Sequence, residues 1–193
     1  MVFWPQWCAK RKTDGLREII VIGAILTQRT GWYNANLALK NLKKANLLSL
    51  SKIASLPNLK RLGKLIRPAG FYQTKPKRLF ALASFIAKEY GSLKEFAKES
   101  LARARDKLLS VYGIGPETAD TILLYALDKP SFVIDEYTHR LVKKKKLSQN
   151  PDYDSLKELF EKSLPRDVGV FQKFHALIII DQKGGKQSLM EVV

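Results

Sequence analysis

Asp135 ends the apolar run Phe132-Val133-Ile134 and opens the polar stretch Glu136-Tyr137-Thr138-His139-Arg140. A carboxylate delivered by an apolar segment is shielded enough for its charge to matter. It can stabilise a developing cation or activate a water. Asp is also a common helix N-cap, and one residue can serve both roles. A second carboxyl, Glu117, stands eighteen residues upstream, just past Gly113-Ile114-Gly115-Pro116. Two glycines around one apolar residue allow a tight turn, and proline fits the first position of the helix that follows. Free N–H groups at such a helix start favour an anion such as phosphate. A plain helical corner would read the same way. Ile114 is expected to plug the turn into the core. No zinc spacing, phosphate loop or Ser/His/Asp pattern is present. His139 and His175 are too isolated for a metal site, and both read as structural residues.

The elements that must carry these residues are helical. Leu16 to Thr27 is apolar almost all round, which predicts a central buried helix. An amphipathic helix is expected over about Asn34–Lys44, with Leu37 and Leu42 inward. A second begins at Ser51, breaks at Pro57 and resumes through Leu59, Leu62, Leu65 and Ile66. Arg67-Pro68-Ala69-Gly70-Phe71-Tyr72 reads as a turn, since the residue before proline avoids helix. Helices follow over Leu79–Tyr90, around Leu93 and Phe96, and on both sides of the glycine turn, about 106–127. Ser131–Ile134 reads as extended. Asp154 is the expected cap of a helix holding Leu156, Leu159 and Phe160. The last helix is expected over about Phe171–Gln182, with Phe174, Leu177 and Ile178 inward.

The 193 residues carry 34 Lys and Arg against 18 Asp and Glu, a net charge of +16. Such an excess favours a polyanionic partner, and nucleic acid or an anionic membrane surface would fit. No apolar run of about 18 residues occurs, so nothing is expected to span a bilayer. The N-terminus lacks the features of a signal peptide, and the single cysteine, Cys8, permits no internal disulfide and suits a reducing cytoplasm.

Three stretches resemble one family. They are Ile-Leu-Thr-Gln-Arg-Thr at 25–30, Arg-Pro-Ala-Gly-Phe-Tyr at 67–72, and the glycine hairpin leading to Asp135 across Leu108–Arg140. Together they resemble the helix-hairpin-helix DNA glycosylase superfamily that includes endonuclease III, over roughly residues 16–183. The likeness is nearest the 3-methyladenine branch that lacks the iron–sulfur cluster. It implies an all-α, two-lobed fold. A six-helix barrel at 22–135 makes one lobe, and 1–21 with 136–193 makes a discontinuous second one. Asp135 would be the catalytic carboxylate. Bifunctional members carry a lysine nucleophile where this chain has Glu117, at the family's spacing from the aspartate. A Schiff base needs an amine, so hydrolysis by water is expected without an efficient strand-nicking step.

The resemblance also assigns a base pocket of Trp32, Glu117, Trp4, Pro5 and Lys183. A tryptophan face would attract a cationic methylated purine more than an undamaged base. Gln28 would fill the gap left by an extruded nucleotide. Gly113, Ile114, Gly115 and Thr118 of the hairpin would meet DNA, together with Gly70, Lys75, Lys77 and Lys143. The hairpin would also be a place for a monovalent cation. The family's cluster cysteines would begin near Gly185, where none occurs, so no iron–sulfur cluster is expected. The expected protein is a cytoplasmic, DNA-associated monomer that excises damaged bases from double-stranded DNA, with 3-methyladenine as the preferred class. The alternatives are an endonuclease III-like pyrimidine glycosylase with lyase activity and a noncatalytic DNA-binding module.

Overall fold

The computed structural model describes residues 7–8 and 11–184. Among these the regular structure is entirely helical. Helix α1, Asp14–Leu26, starts at Thr13, whose hydroxyl accepts from the Leu16 N–H. Ile20 to Leu26 are buried on every side, as the unbroken apolar run requires. Gly23 is indispensable to the packing, because a Cβ there would lie 2.7 Å from the Trp7 ring. The expected lobe boundary at residue 22 falls inside this helix.

Helix α2, Trp32–Lys44, begins earlier than expected and buries Trp32, Ala35, Ala38, Leu39 and Leu42. Leu37 is only partly buried. Small alanines on that face let α1 approach closely, so the inward stripe runs through them. Pro57 separates α3, Leu50–Ala54, from α4, Lys60–Leu65, and a 3-10 turn covers Arg67–Ala69. Helix α5, Lys75–Tyr90, extends a turn further N-terminal than expected because Pro76 is tolerated in its first turn. Short α6, Leu93–Phe96, precedes α7, Leu101–Leu109, which Ser100 caps.

Helix α8, Pro116–Thr121, passes directly into a π-helical turn at Ile122–Ala126. That turn is wholly buried against α1. Widening the helix frees carbonyls from their usual partners. The Leu124 carbonyl accepts from Gln172 Nε2 at 2.9 Å, and the Ala126 carbonyl accepts from Arg17. Helices α9, Glu136–Lys145, and α11, Val168–Gln182, pack together, with α10, Tyr153–Ser163, between them in sequence. The α10 cap is Asp152, which accepts from the Ser155 N–H, and not Asp154. On α11, Ile178 is buried and Phe174 partly so, whereas Leu177 is 61 % exposed. A helix that is apolar nearly all round carries no periodicity to tell its faces apart.

Candidate active site

The segment Ser131–Ile134 is fully buried, non-helical and held from three sides. Asp120 on α8 is its anchor. Its carboxylate accepts from Ser131 Oγ at 2.6 Å, from Arg105 Nε at 3.0 Å and from the Tyr153 hydroxyl at 2.9 Å. Lys157 on α10 donates to Ser131 Oγ, and Glu161 accepts from the Phe132 N–H at 2.8 Å. A buried carboxylate is tolerable only with such partners. Burial, then the Asp120 charge, push the Tyr153 hydroxyl far above its ordinary pKa, so it serves as a donor. The segment thereby presents Asp135 at the start of α9.

Asp135 caps α9. Its Oδ1 accepts from the Thr138 N–H at 2.8 Å and from the Thr138 hydroxyl at 3.0 Å. Its Oδ2 lies 3.3 Å from His175 Nε2, and its side chain is 13 % exposed. Burial acts to raise its pKa, but the His175 ring and the Thr138 hydrogen bonds outweigh that and hold it below its ordinary value. Glu117 goes the other way. It opens to solvent from within the cavity, where desolvation and then the Asp135 charge push it up to about 7, against the pull of His175. Two carboxyls in one site with pKa values driven apart can play an ionised and a neutral role at once.

These groups line a cavity of about 720 Å³ together with Trp7, Trp32, Tyr125, Tyr137 and Lys183. That volume suits a planar heterocycle. Trp7 and Trp32 meet edge to face at 5.3 Å, and Trp7 tilts against Tyr125 at 5.8 Å. Lys183 Nζ sits 5.5 Å from the Tyr137 ring centre. Trp32 is therefore a core residue and a pocket wall together. Trp4 and Pro5 lie outside the described residues, and Trp7 supplies an N-terminal aromatic here.

His175, which reads as a structural residue in the sequence, lies beside the site: Tyr125 Oη is 2.7 Å from its Nδ1, and Asp135 faces its Nε2. Tyr125, brought in by the π-helical turn, was likewise not anticipated. Phe174-His175-Ala176-Leu177 is similar to the family's closing helix, but no spacing in the sequence points from His175 to Asp135 or marks Tyr125.

The hairpin forms as the Gly-x-Gly pattern requires. Gly113 has φ of +79°, Ile114 is buried, Gly115 caps α8 and Pro116 opens it. Gln28 is tied to this hairpin. Its Nε2 donates to the Gly113 carbonyl and to the buried Thr118 hydroxyl, both at 3.0 Å, and its Oε1 accepts from Arg78 at 2.7 Å. The carbonyls of Leu108, Val111 and Gly113 already accept one N–H each.

Lys77 and Lys143 are exposed, and Gly70 turns with φ of +70°. Lys75 corrects the expectation of a DNA contact. It is 1 % exposed, and its Nζ donates to the Leu26 and Ala69 carbonyls at 2.7 Å and to Thr30 Oγ1 at 2.8 Å. Burial, then Arg78, lower its pKa to about 8. It is an internal pin between the loop that follows α1 and the 67–69 turn.

The family described as HhH-GPD superfamily base excision DNA repair protein matches residues 22–166. The chain belongs to that superfamily. A Methanocaldococcus jannaschii protein named "Putative DNA repair glycosylase" is 47 % identical over 84 % of this chain and 75 % of its own length. Endonuclease III of Thermotoga maritima is 26 % identical over 82 % of this chain and 69 % of its own. Among solved structures, the H. pylori 3-methyladenine DNA glycosylase bound to 1,N6-ethenoadenine superimposes with a TM-score of 0.77 at 33 % identity. It covers 86 % of this chain and 84 % of that one. A non-covalent endonuclease III–DNA complex gives 0.71 at 19 % identity, covering 88 % and 73 %, a likeness of fold. This helix-hairpin-helix protein is a DNA repair glycosylase. Among its described residues no helix is long and apolar enough to cross a membrane, and no group of His, Cys, Asp and Glu could hold a metal ion.

Proposed function

We propose that this glycosylase is monofunctional, acts as a monomer on double-stranded DNA and releases alkylated purines of the 3-methyladenine type by hydrolysis. The observation that carries the reading is the placement of two carboxyls, Asp135 with donors that hold its pKa down and Glu117 pushed up to about 7, inside one aromatic-walled cavity. A flipped methylpurine would meet the faces and edges of Trp7, Trp32 and Tyr125. A cationic base gains from such walls. As the N-glycosidic bond lengthens, positive charge grows on the sugar, and the Asp135 carboxylate stabilises it or accepts a proton from the attacking water. Glu117 cannot form a Schiff base. The 33 %-identical H. pylori enzyme supports the substrate class. No iron–sulfur cluster is part of the proposal, since Cys8 is the single cysteine.

The test is base release from duplexes carrying 3-methyladenine, with 1,N6-ethenoadenine as a second substrate, with and without alkali. Free base with strand breaks only after alkali is expected. Asp135→Asn should slow release by roughly 10²–10³-fold while leaving duplex affinity nearly unchanged. Retained excision in that variant refutes the role of Asp135. Breaks without alkali would instead give Lys183, whose amine lines the same cavity, a nucleophilic role.

A further inference from the structure

His175 projects from α11, forty residues beyond Asp135 in sequence, yet it is almost fully buried against it. Its ring is held at Nδ1, and its Nε2 faces Asp135. Tyr125 Oη lies 2.7 Å from Nδ1, and Nε2 lies 3.3 Å from Asp135 Oδ2. With the tyrosine hydroxyl donating to Nδ1, the ring proton resides on Nε2, which stands 3.3 Å from the carboxylate without completing a hydrogen bond in this structure. Phe132 packs edge-on to the ring at 6.2 Å and limits its rotation. Asp135 is thus held from two sides, by Thr138 at Oδ1 and by His175 at Oδ2.

We propose that His175, oriented by Tyr125, is the positioning residue that makes Asp135 rather than Glu117 the charged carboxylate facing the sugar. The inference rests on the catalytic reading of Asp135. Two acidic groups share the cavity, and like charges at short range oppose double ionisation. Whichever carboxyl has the nearer donors keeps the charge. Thr138 donates twice to Asp135 Oδ1, His175 Nε2 stands within ion-pair distance of its Oδ2, and Glu117 is left as the neutral partner. The titratable groups that share the cavity with the ring include Asp135 and Glu136 at the start of α9, Tyr137, His139 and Arg140 along it, Glu117 on α8, Tyr125 on the π-helical turn, Tyr153 on α10, and Lys183 just past the end of α11. Of these, Asp135 and Tyr125 lie against its nitrogens.

The experiment compares His175→Phe, His175→Gln and Tyr125→Phe with the unaltered protein in single-turnover excision across pH. Affinity for a duplex holding a non-hydrolysable abasic analogue is measured alongside. His175→Phe should slow release about 10- to 100-fold, the equivalent of one charge-assisted hydrogen bond. Its acid limb should move to higher pH, because Asp135 loses what holds its pKa down, and duplex affinity should stay within about twofold. His175→Gln, whose amide can donate to Asp135, should recover most of the rate. If His175→Phe does not fold, Tyr125→Phe decides: its acid limb should move the same way by a smaller amount. An unmoved acid limb in the folded variants overturns the proposal, as does equal loss of rate in the Phe and Gln variants at position 175. Excision surviving Asp135→Asn would instead remove the reading on which it rests, an outcome separate from any His175 result.

Discussion

Asp135 and Glu117 share a cavity and differ in what faces each carboxyl. Both are desolvated, but Asp135 has His175 and Thr138 to offset it, while Glu117 has the Asp135 charge added to it. At pH 7 Asp135 is therefore ionised and Glu117 is about half protonated. Rising pH ionises Glu117 and adds a negative charge to a cavity walled by aromatic faces. A cationic methylpurine should gain from that charge and a neutral purine adduct should not. The ratio of their excision rates should rise about fivefold from pH 6 to pH 8, on the order of 1 kcal/mol of attraction. Glu117→Gln should flatten it. A ratio that climbs equally in the Gln variant would show that another group titrates. Asp135 and Glu117 were legible because each sits in a motif at a set spacing. His175 was not, since only the packing of α11 on α9 brings it to Asp135. Lys75 erred in the opposite sense: a lysine among lysines reads as surface, yet three carbonyl and hydroxyl oxygens make its burial tolerable.

The elements around the site are joined by Asp120, a residue to which the motif assigned no role. Its 0 % exposed carboxylate joins α7, α8, the 131–134 segment and α10 through Arg105, Ser131 and Tyr153, with Lys157 at 3.5 Å. Asp120→Asn keeps the shape and removes the charge, leaving Arg105 and Lys157 opposite a neutral amide. A loss of about 3–5 kcal/mol is expected, read as a lower urea midpoint at unchanged slope. A folded Asp120→Asn protein should also excise more slowly, because the segment delivering Asp135 is loosened. A midpoint within error of the unaltered protein would mean that the network contributes no net stability. The helices themselves were readable from apolar spacing and from Pro57, Pro68, Gly91 and Pro116. The π-helical turn was not, because Ile122-Leu123-Leu124-Tyr125-Ala126 is an apolar run with no mark of a widened helix. Its partners, Gln172 and Arg17, come from distant parts of the chain.

At the scale of the whole molecule, the +16 charge sets how the protein finds its substrate, and the cavity sets what it does there. The charge is spread over several helices: Lys77 on α5 and Lys143 on α9 are both exposed, whereas Lys75 and Lys157 are spent internally. Counting cations thus overstates the surface that meets phosphate. If about five phosphates are neutralised, the logarithm of undamaged-duplex affinity should fall with log salt at a slope near −4.5. That is a loss of about 500-fold between 50 and 200 mM. Replacing Lys77 or Lys143 by Ala should reduce the slope by about 1 each, whereas Lys75→Met should leave the slope unchanged and lower stability instead. Single-turnover release from saturated complexes should hardly respond to salt, because the cavity groups are shielded inside the protein–DNA interface. The discriminating result is the Lys75→Met slope. A decrease of about 1 would put its ammonium on the DNA after all and require the loop after α1 to open on binding. An unchanged slope with a lower melting temperature is what a buried pin produces.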